Sequence, residues 1–267
     1  PRIIGGFQAP SDQFGYVAYL RALSEDYDGG VCTGTLIAPS VVLTAAHCTQ
    51  VNKFISYRPY EYKIMFGANV PRFDVDFEGY SVESYVVHPE YNSWPFGNDI
   101  ALFFLNETVP DSVAKPIKIY SGDTYTTTPM AAAGFGLTDI HNNQSLATQL
   151  MEVNLFPGTP DYCRKQDGNF HQATQICTDG TGGIDTCEGD SGGPIVTPLD
   201  NGDGYAQLAV TSYGVVNDAN PDGECGKAGG SGVYTRISPY LGWIAKTANL
   251  TASDISATNV TVSKTPG

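Results

Sequence analysis

Cys187-Glu188-Gly189-Asp190-Ser191-Gly192-Gly193-Pro194 is the stretch on which the reading of this chain turns. A serine hydroxyl is a weak nucleophile and reacts only beside a base that is itself held in place. Glycines on both sides of Ser191 allow a tight turn and let backbone N–H groups approach a developing oxyanion. Taken alone, the stretch also suits an ordinary Gly-rich turn with a surface serine. Its Gly-x-Ser-x-Gly pattern matches the nucleophile elbow of α/β-hydrolases as well.

Two segments upstream decide between these readings. Leu43-Thr44-Ala45-Ala46-His47-Cys48 places a histidine where an apolar strand ends, and Asn98-Asp99-Ile100-Ala101-Leu102 places a carboxylate just before a run too apolar to be exposed. His47, Asp99 and Ser191 thus supply a base, an orienter and a nucleophile, in that order. An α/β-hydrolase has its Asp and His after the serine, so the order opposes an esterase or lipase of that class. The rest of the chain opposes it too. Short apolar or alternating runs recur at Tyr16–Leu23, Thr35–Ala45, Tyr62–Gly67, Ser81–His88, Asp99–Leu105, Met130–Gly134, Gln149–Leu155, Gly193–Thr197, Ala206–Gly214 and Gly232–Arg236. Gly, Pro, Asn and Asp separate them, which predicts an all-β barrel or sandwich without βαβ units. The one clear helix candidate is Ser238–Lys246, with Ser238 as cap, Pro239 in the first turn, and Leu241, Ile244 and Ala245 on one face.

The 267 residues include 14 basic and 28 acidic side chains, a formal charge of −14, which suits neither a phosphate backbone nor an anionic membrane. No apolar run reaches the length of a spanning helix, and the first residues lack the apolar core of a signal peptide. The expectation is a soluble chain that never had a signal or has lost it, with neither nucleic acid nor membrane as partner. Six cysteines without a CxxC pair lean toward disulfides, and counting leaves 15 pairings open. Asn106, Asn143, Asn249 and Asn259 begin N-x-S/T triplets, in keeping with a secreted, extracellular glycoprotein. From Ala252 to Gly267, six of 16 residues are Ser or Thr, and a peripheral tail is expected there.

With these residues in view, the chain resembles the trypsin-like serine proteases of the chymotrypsin family. The marks are Ile3-Ile4-Gly5-Gly6, Thr44-Ala45-Ala46-His47-Cys48, Asn98-Asp99-Ile100-Ala101-Leu102, Gly189-Asp190-Ser191-Gly192-Gly193-Pro194 and Gly232-Val233-Tyr234-Thr235-Arg236. The resemblance implies two orthogonal six-stranded antiparallel β-barrels with a C-terminal helix. Residues 3–118 would carry His47 and Asp99, residues 119–251 Ser191 and the specificity pocket, and residues 252–267 the tail. It selects the disulfides Cys32–Cys48, Cys163–Cys177 and Cys187–Cys225. It assigns catalysis to His47, Asp99 and Ser191, and the oxyanion hole to the N–H groups of Gly189 and Ser191.

The same resemblance places Asp185 at the base of the primary specificity pocket, which implies cleavage after Arg or Lys. Gly214 and Gly232 take the pocket walls, and Ser212 and Tyr213 the edge that pairs with the substrate backbone. Tyr213 stands where the family usually has Trp, which implies altered subsite preference. Glu188, commonly Gln in trypsins, adds a carboxylate at the cleft rim. Pro1-Arg2 precede Ile3, so activation is expected by cleavage after Arg2, by a trypsin-like protease or by the enzyme itself, with the freed Ile3 ammonium pairing with Asp190. Protein or peptide substrates and proteinaceous inhibitors are the expected partners. No cofactor is required. A structural Ca²⁺ is weakly suggested by the alternating Asp74, Asp76 and Glu78, but Ala68 stands where a second family ligand belongs. Asp218–Gly223 imitates the start of an EF-hand loop, with Gly229 where that loop needs Glu. The rival to a protease is a catalytically silent protease-fold binding or regulatory protein, which the complete triad opposes.

Overall fold

In the computed structural model, residues 5–257 are described apart from 11–12, 71–77, 95, 123–127, 140, 143–144, 180–182, 200–203, 219, 223 and 228. Six strands close a barrel: β1 (Val17–Ala22), β2 (Val31–Ala38), β3 (Val41–Thr44), β4 (Tyr62–Phe66), β5 (Tyr80–Val87) and β6 (Ala101–Leu105). They pair antiparallel in the order β6-β3-β2-β1-β4-β5 and back to β6. Alternation sets the inner face: in β4, Tyr62, Ile64 and Phe66 are buried while Lys63 and Met65 are only half-buried. The apolar run 35–45 is divided between β2 and β3 by the turn at Pro39–Ser40, because proline cannot continue the ladder.

The second body, expected as a six-stranded antiparallel barrel, is among the described residues a sheet of nine strands built around six that run antiparallel. It contains β7 (Lys118–Tyr120), β8 (Met130–Gly134), β9 (Met151–Leu155), β10 (Gln175–Cys177), β11 (Pro194–Pro198), β12 (Tyr205–Gly214) and β13 (Gly232–Arg236). The antiparallel run is β9-β8-β11-β12-β13-β10. Three short pieces enlarge it. Phe7–Gln8 pairs with β9, so residues from the N-terminal segment belong to the second body. β7 lies parallel to β12, a departure from the all-antiparallel expectation, and β14 (Ser256–Ala257) lies parallel to β7.

Helices are few and short. α1 (Pro160–Gln166) escaped the periodicity reading because seven residues show barely two turns. Its start was nonetheless legible: Thr159 caps it by accepting the Tyr162 N–H at 3.1 Å, and Pro160 opens it. The expected C-terminal helix is a 3₁₀ turn, Ser238–Tyr240, running into α2 (Leu241–Ala248). Ser238 does not cap it, since Ile237 occupies the cap and makes no side-chain bond. Ile244 and Ala245 of α2 pack with Ile37, Leu43, Ile100 and Val210 from both bodies, so the helix closes the seam between them.

The tail expected from residue 252 starts later. α3 (Ala252–Ile255) buries Ile255 in that seam, and β14 adds a strand. Residues 258–267, Asn259 included, lie outside the described residues. All three disulfides implied by the resemblance are present: Cys32–Cys48, Cys163–Cys177 and Cys187–Cys225. Closing the 16-residue separation of the first contributes roughly 3 kcal/mol by the loop-entropy estimate.

Candidate active site

Three elements deliver the three side chains expected to carry out catalysis. After β3 the chain enters a 3₁₀ turn, Ala46–Thr49, which carries His47 out of the first barrel. Asp99 sits just before β6, behind Asn98, whose φ of 52° is the left-handed bend that aims the carboxylate inward. Tyr240 holds that bend by donating its hydroxyl to Asn98 Oδ1 at 2.8 Å. Ser191 lies on the loop before β11. Gly192 (φ 78°) has no space for a side chain, because a Cβ there would overlap Thr44 Oγ1. The barrel braces this loop: Thr33 donates its N–H to Ser191 O at 2.8 Å and its hydroxyl to Gly189 O at 2.8 Å.

Asp99 is fully buried and saturated with donors. Its Oδ2 accepts from His47 Nδ1 at 2.8 Å and from Ser212 Oγ at 2.5 Å, while Oδ1 accepts the His47 backbone N–H at 2.9 Å. Burial alone would raise its pKa, but His47 and these hydrogen bonds hold the carboxyl below its ordinary value. An ionised Asp99 can only accept, so the proton of His47 sits on Nδ1 and Nε2 is left as the base. For His47, burial pulls the pKa down, and the Asp99 charge and hydrogen bond outweigh it, leaving the imidazole above its ordinary value. Ser212 was read from the resemblance as a substrate-pairing residue, and it also helps to fix Asp99.

Ser191 and the exposed Glu188 border two recesses. One, of about 260 Å³, is lined by His47, Gln50, Tyr57, Gly30 and the Cys32–Cys48 region. The other, of about 170 Å³, is lined by Asp185, Ser212, Tyr213, Gly214, Asn220 and Glu224. Asp185 is buried there; desolvation pushes its carboxyl up to about 6 against the pull of hydrogen bonds from Thr186 and Tyr234. Gly232 pairs with Gly214 across the strands, and a Cβ on it would meet Asp185 Oδ1 at 2.9 Å. The peptide between Glu188 and Gly189 has its carbonyl turned to the Leu137 N–H at 2.7 Å, so the trans geometry points the Gly189 N–H the opposite way.

Asp190 is buried next to this loop, with Oδ1 accepting the Gly136 N–H at 2.8 Å and Oδ2 the Cys187 N–H at 2.9 Å. Desolvation pushes its carboxyl up to about 7. Arg2 and Ile3 lie outside the described residues, as do Asp74 and Asp76 of the suggested Ca²⁺ loop. Among the described residues, the one cluster with metal-ligand geometry is Cys32, His47 and Cys48, whose two sulfurs form a disulfide. Sequence reasoning gave no role to Phe96, Gln175, Asn220 or Glu224. Asn220 falls in the EF-hand-like stretch, where its side chain instead ties Glu224 by two backbone bonds and shapes the Asp185 recess.

A buried Asp–His pair beside a serine, set between a closed β-barrel and a second β-sheet with a C-terminal helix, defines the chymotrypsin-like class of serine protease. The chain matches the trypsin family model over residues 3–244 and belongs to that family of serine proteases. It is 34% identical to mouse serine protease 56 over 91% of its own length, and spans only 38% of that longer protein. Bovine chymotrypsin-C is 31% identical, with 91% of this chain and 87% of that protein covered. The CLIP domain-containing serine protease B10 of Anopheles gambiae is also 31% identical, with 91% and 68% covered.

Proposed function

We propose that the chain is a secreted serine endopeptidase that cleaves after Arg or Lys and gains activity when the Arg2–Ile3 bond is cut. The observation that carries this reading is the position of Ser191, between the recess that holds His47 and the recess that ends in buried Asp185. A peptide side chain in the second recess brings its carbonyl to Ser191. His47 Nε2 takes the serine proton as the Oγ–carbon bond forms, and Asp99 stabilises the resulting imidazolium. The oxyanion is met by the N–H groups of Gly189 and Ser191, each such donor worth ~3 kcal/mol in the transition state. His47 returns the proton to the leaving amine, and water, deprotonated by His47, then releases the acyl group. These residues complete the reaction without a cofactor.

Asp185 selects the side chain by charge, since a buried carboxylate without a cation is costly and an Arg or Lys head group relieves that cost. Secretion is supported by the three disulfides, which persist in oxidising compartments. Activation is supported by Asp190, a buried carboxyl for which a new ammonium would be a strong partner.

Two outcomes are expected. Mass spectrometry and a fluorogenic Arg substrate, followed together during limited trypsin treatment, should show activity rising with exposure of Ile3 as the new N-terminus; full activity with Pro1 still attached would overturn the activation step. The pH profile of kcat/KM should rise with loss of a proton from His47. Because Asp99 raises that pKa, the acid limb should fall above the reference ~6.5. Replacing Asp99 should move the limb down, and an unmoved limb would assign it to another group.

A further inference from the structure

The substrate-pairing edge of β12 is tethered from outside the catalytic triad. Tyr213 donates its hydroxyl to Asp167 Oδ2 at 2.7 Å, and Asp167 Oδ1 accepts the Asn169 N–H at 2.8 Å. Asp167 ends α1, its own N–H bonded to Cys163 O at 2.9 Å, and Cys163 is joined to β10 through Cys177. The Tyr213 ring stacks on Phe96 with centroids 5.2 Å apart, and Phe96 meets the His47 ring edge-on at 6.0 Å. Gln175 Nε2 closes the network by donating to Phe96 O at 3.3 Å and approaching Tyr213 Oη at 3.5 Å. A continuous series of contacts therefore runs from the end of α1 to the catalytic base.

A phenol ring on a strand edge has χ1 and χ2 freedom, and a charge-assisted hydrogen bond at its far end removes much of it. A substrate laid along Ser212–Gly214 sends alternate side chains to opposite faces. With one residue in the Asp185 recess, the residue before it faces His47 and the Phe96–Tyr213 wall. We propose that Asp167 is a positioning residue for substrate selection: by holding the Tyr213 hydroxyl it keeps this aromatic wall in place and restricts the residue preceding the cleaved one to a small side chain. The proposal rests on the peptidase reading but not on the preference for Arg or Lys.

The test measures kcat and KM of the processed enzyme on peptides that share the cleaved residue the wild type prefers and carry Gly, Ala, Val or Phe before it. Wild type should favour Gly and Ala. Asp167→Ala and Tyr213→Phe should each raise KM on the Gly and Ala peptides about 3- to 10-fold, the range of one lost hydrogen bond, mainly without a fall in kcat. Both should bring the Val-to-Gly ratio of KM toward one. Asp167→Asn keeps one oxygen for the Asn169 N–H and presents its NH2 as a donor to the Tyr213 oxygen, so the tether is retained with its direction reversed and the wild-type ratio should be kept. The double variant should be no worse than the worse single variant. Asp161→Asn, on the exposed start of α1, removes the same charge and should change nothing. An unchanged ratio in folded Asp167→Ala, additive effects, or an equal effect of Asp161→Asn would overturn the role of Asp167. Wild type that cleaves none of the peptides would overturn both this role and the peptidase reading.

Discussion

Processed enzyme carrying Ser191→Ala is expected to lose on the order of 10⁶-fold in kcat on an Arg peptide while remaining folded and able to bind it. The exchange of hydroxyl for methyl removes the attacking atom, and His47 and Asp99 then have no proton to move. The backbone is retained: Thr33 still donates to the carbonyls of residues 189 and 191, so the N–H groups proposed as oxyanion donors should stay in position. Residual acceleration of roughly 10³–10⁴ over water is therefore expected from the oxyanion hole and binding. Single-turnover assays on purified variant, with contaminating protease titrated out, measure this directly. Equal kcat in variant and wild type would remove Ser191 from the chemistry and favour a protease-fold binding protein.

The second large effect belongs to Asp185. Asp185→Ser should lower kcat/KM for Arg and Lys substrates by about 10²–10⁴, because losing one partner of a buried ion pair costs roughly 3–5 kcal/mol. The variant should fold normally, since the buried carboxylate without its substrate is a destabilising element: burial pushes its pKa up to about 6. That raised value has a second consequence with a definite sign. Below about pH 6 the empty pocket takes up a proton and its charge is lost, so KM for Arg substrates should rise as the pH falls. Substrates with Phe at the cleaved position should show neither effect. A substrate-library profile dominated by Phe or Leu in the wild type would show that Asp185 does not select the substrate.

The strand runs were legible because each is a local pattern. Met130–Gly134 and Gly232–Arg236 occur as strands at the bounds read from sequence, Thr35–Ala45 is split between two strands at Pro39–Ser40, and the other runs differ by a few residues at their ends. The short elements were not. α1 has too few residues to show a period, and β7 and β14 are held by parallel neighbours rather than by any pattern of their own. Ser238 shows the limit of a local rule: a serine before Pro239 looks like a cap, yet the chain enters a 3₁₀ turn there and the cap position falls on Ile237. Ile255 lies in a Ser- and Thr-rich stretch that looks like tail, and it is ordered because the seam between the two bodies buries it.

The β class is legible from the sequence alone, as is the order His47, Asp99, Ser191 in which a base, an orienter and a nucleophile are proposed; its resemblance to a family adds the disulfide pairing. Motifs carry such information because a nucleophile, a base and a close-approach glycine each demand a particular residue type. How distant residues divide the work around them emerges only when the chain is folded. Asp99 and Ser212 stand 113 positions apart and share a 2.5 Å hydrogen bond; Tyr213 and Asp167 stand 46 apart and share one of 2.7 Å. Neither Asp167 nor Phe96 lies in a recognisable motif, because an aspartate that ends a helix and an aromatic on a two-residue strand are unremarkable locally. Their significance arises when β12, α1 and the Phe96–Gly97 strand, paired antiparallel with Asn92–Ser93, converge on one edge, and that convergence is set by core packing rather than by the residues' own neighbours in the chain.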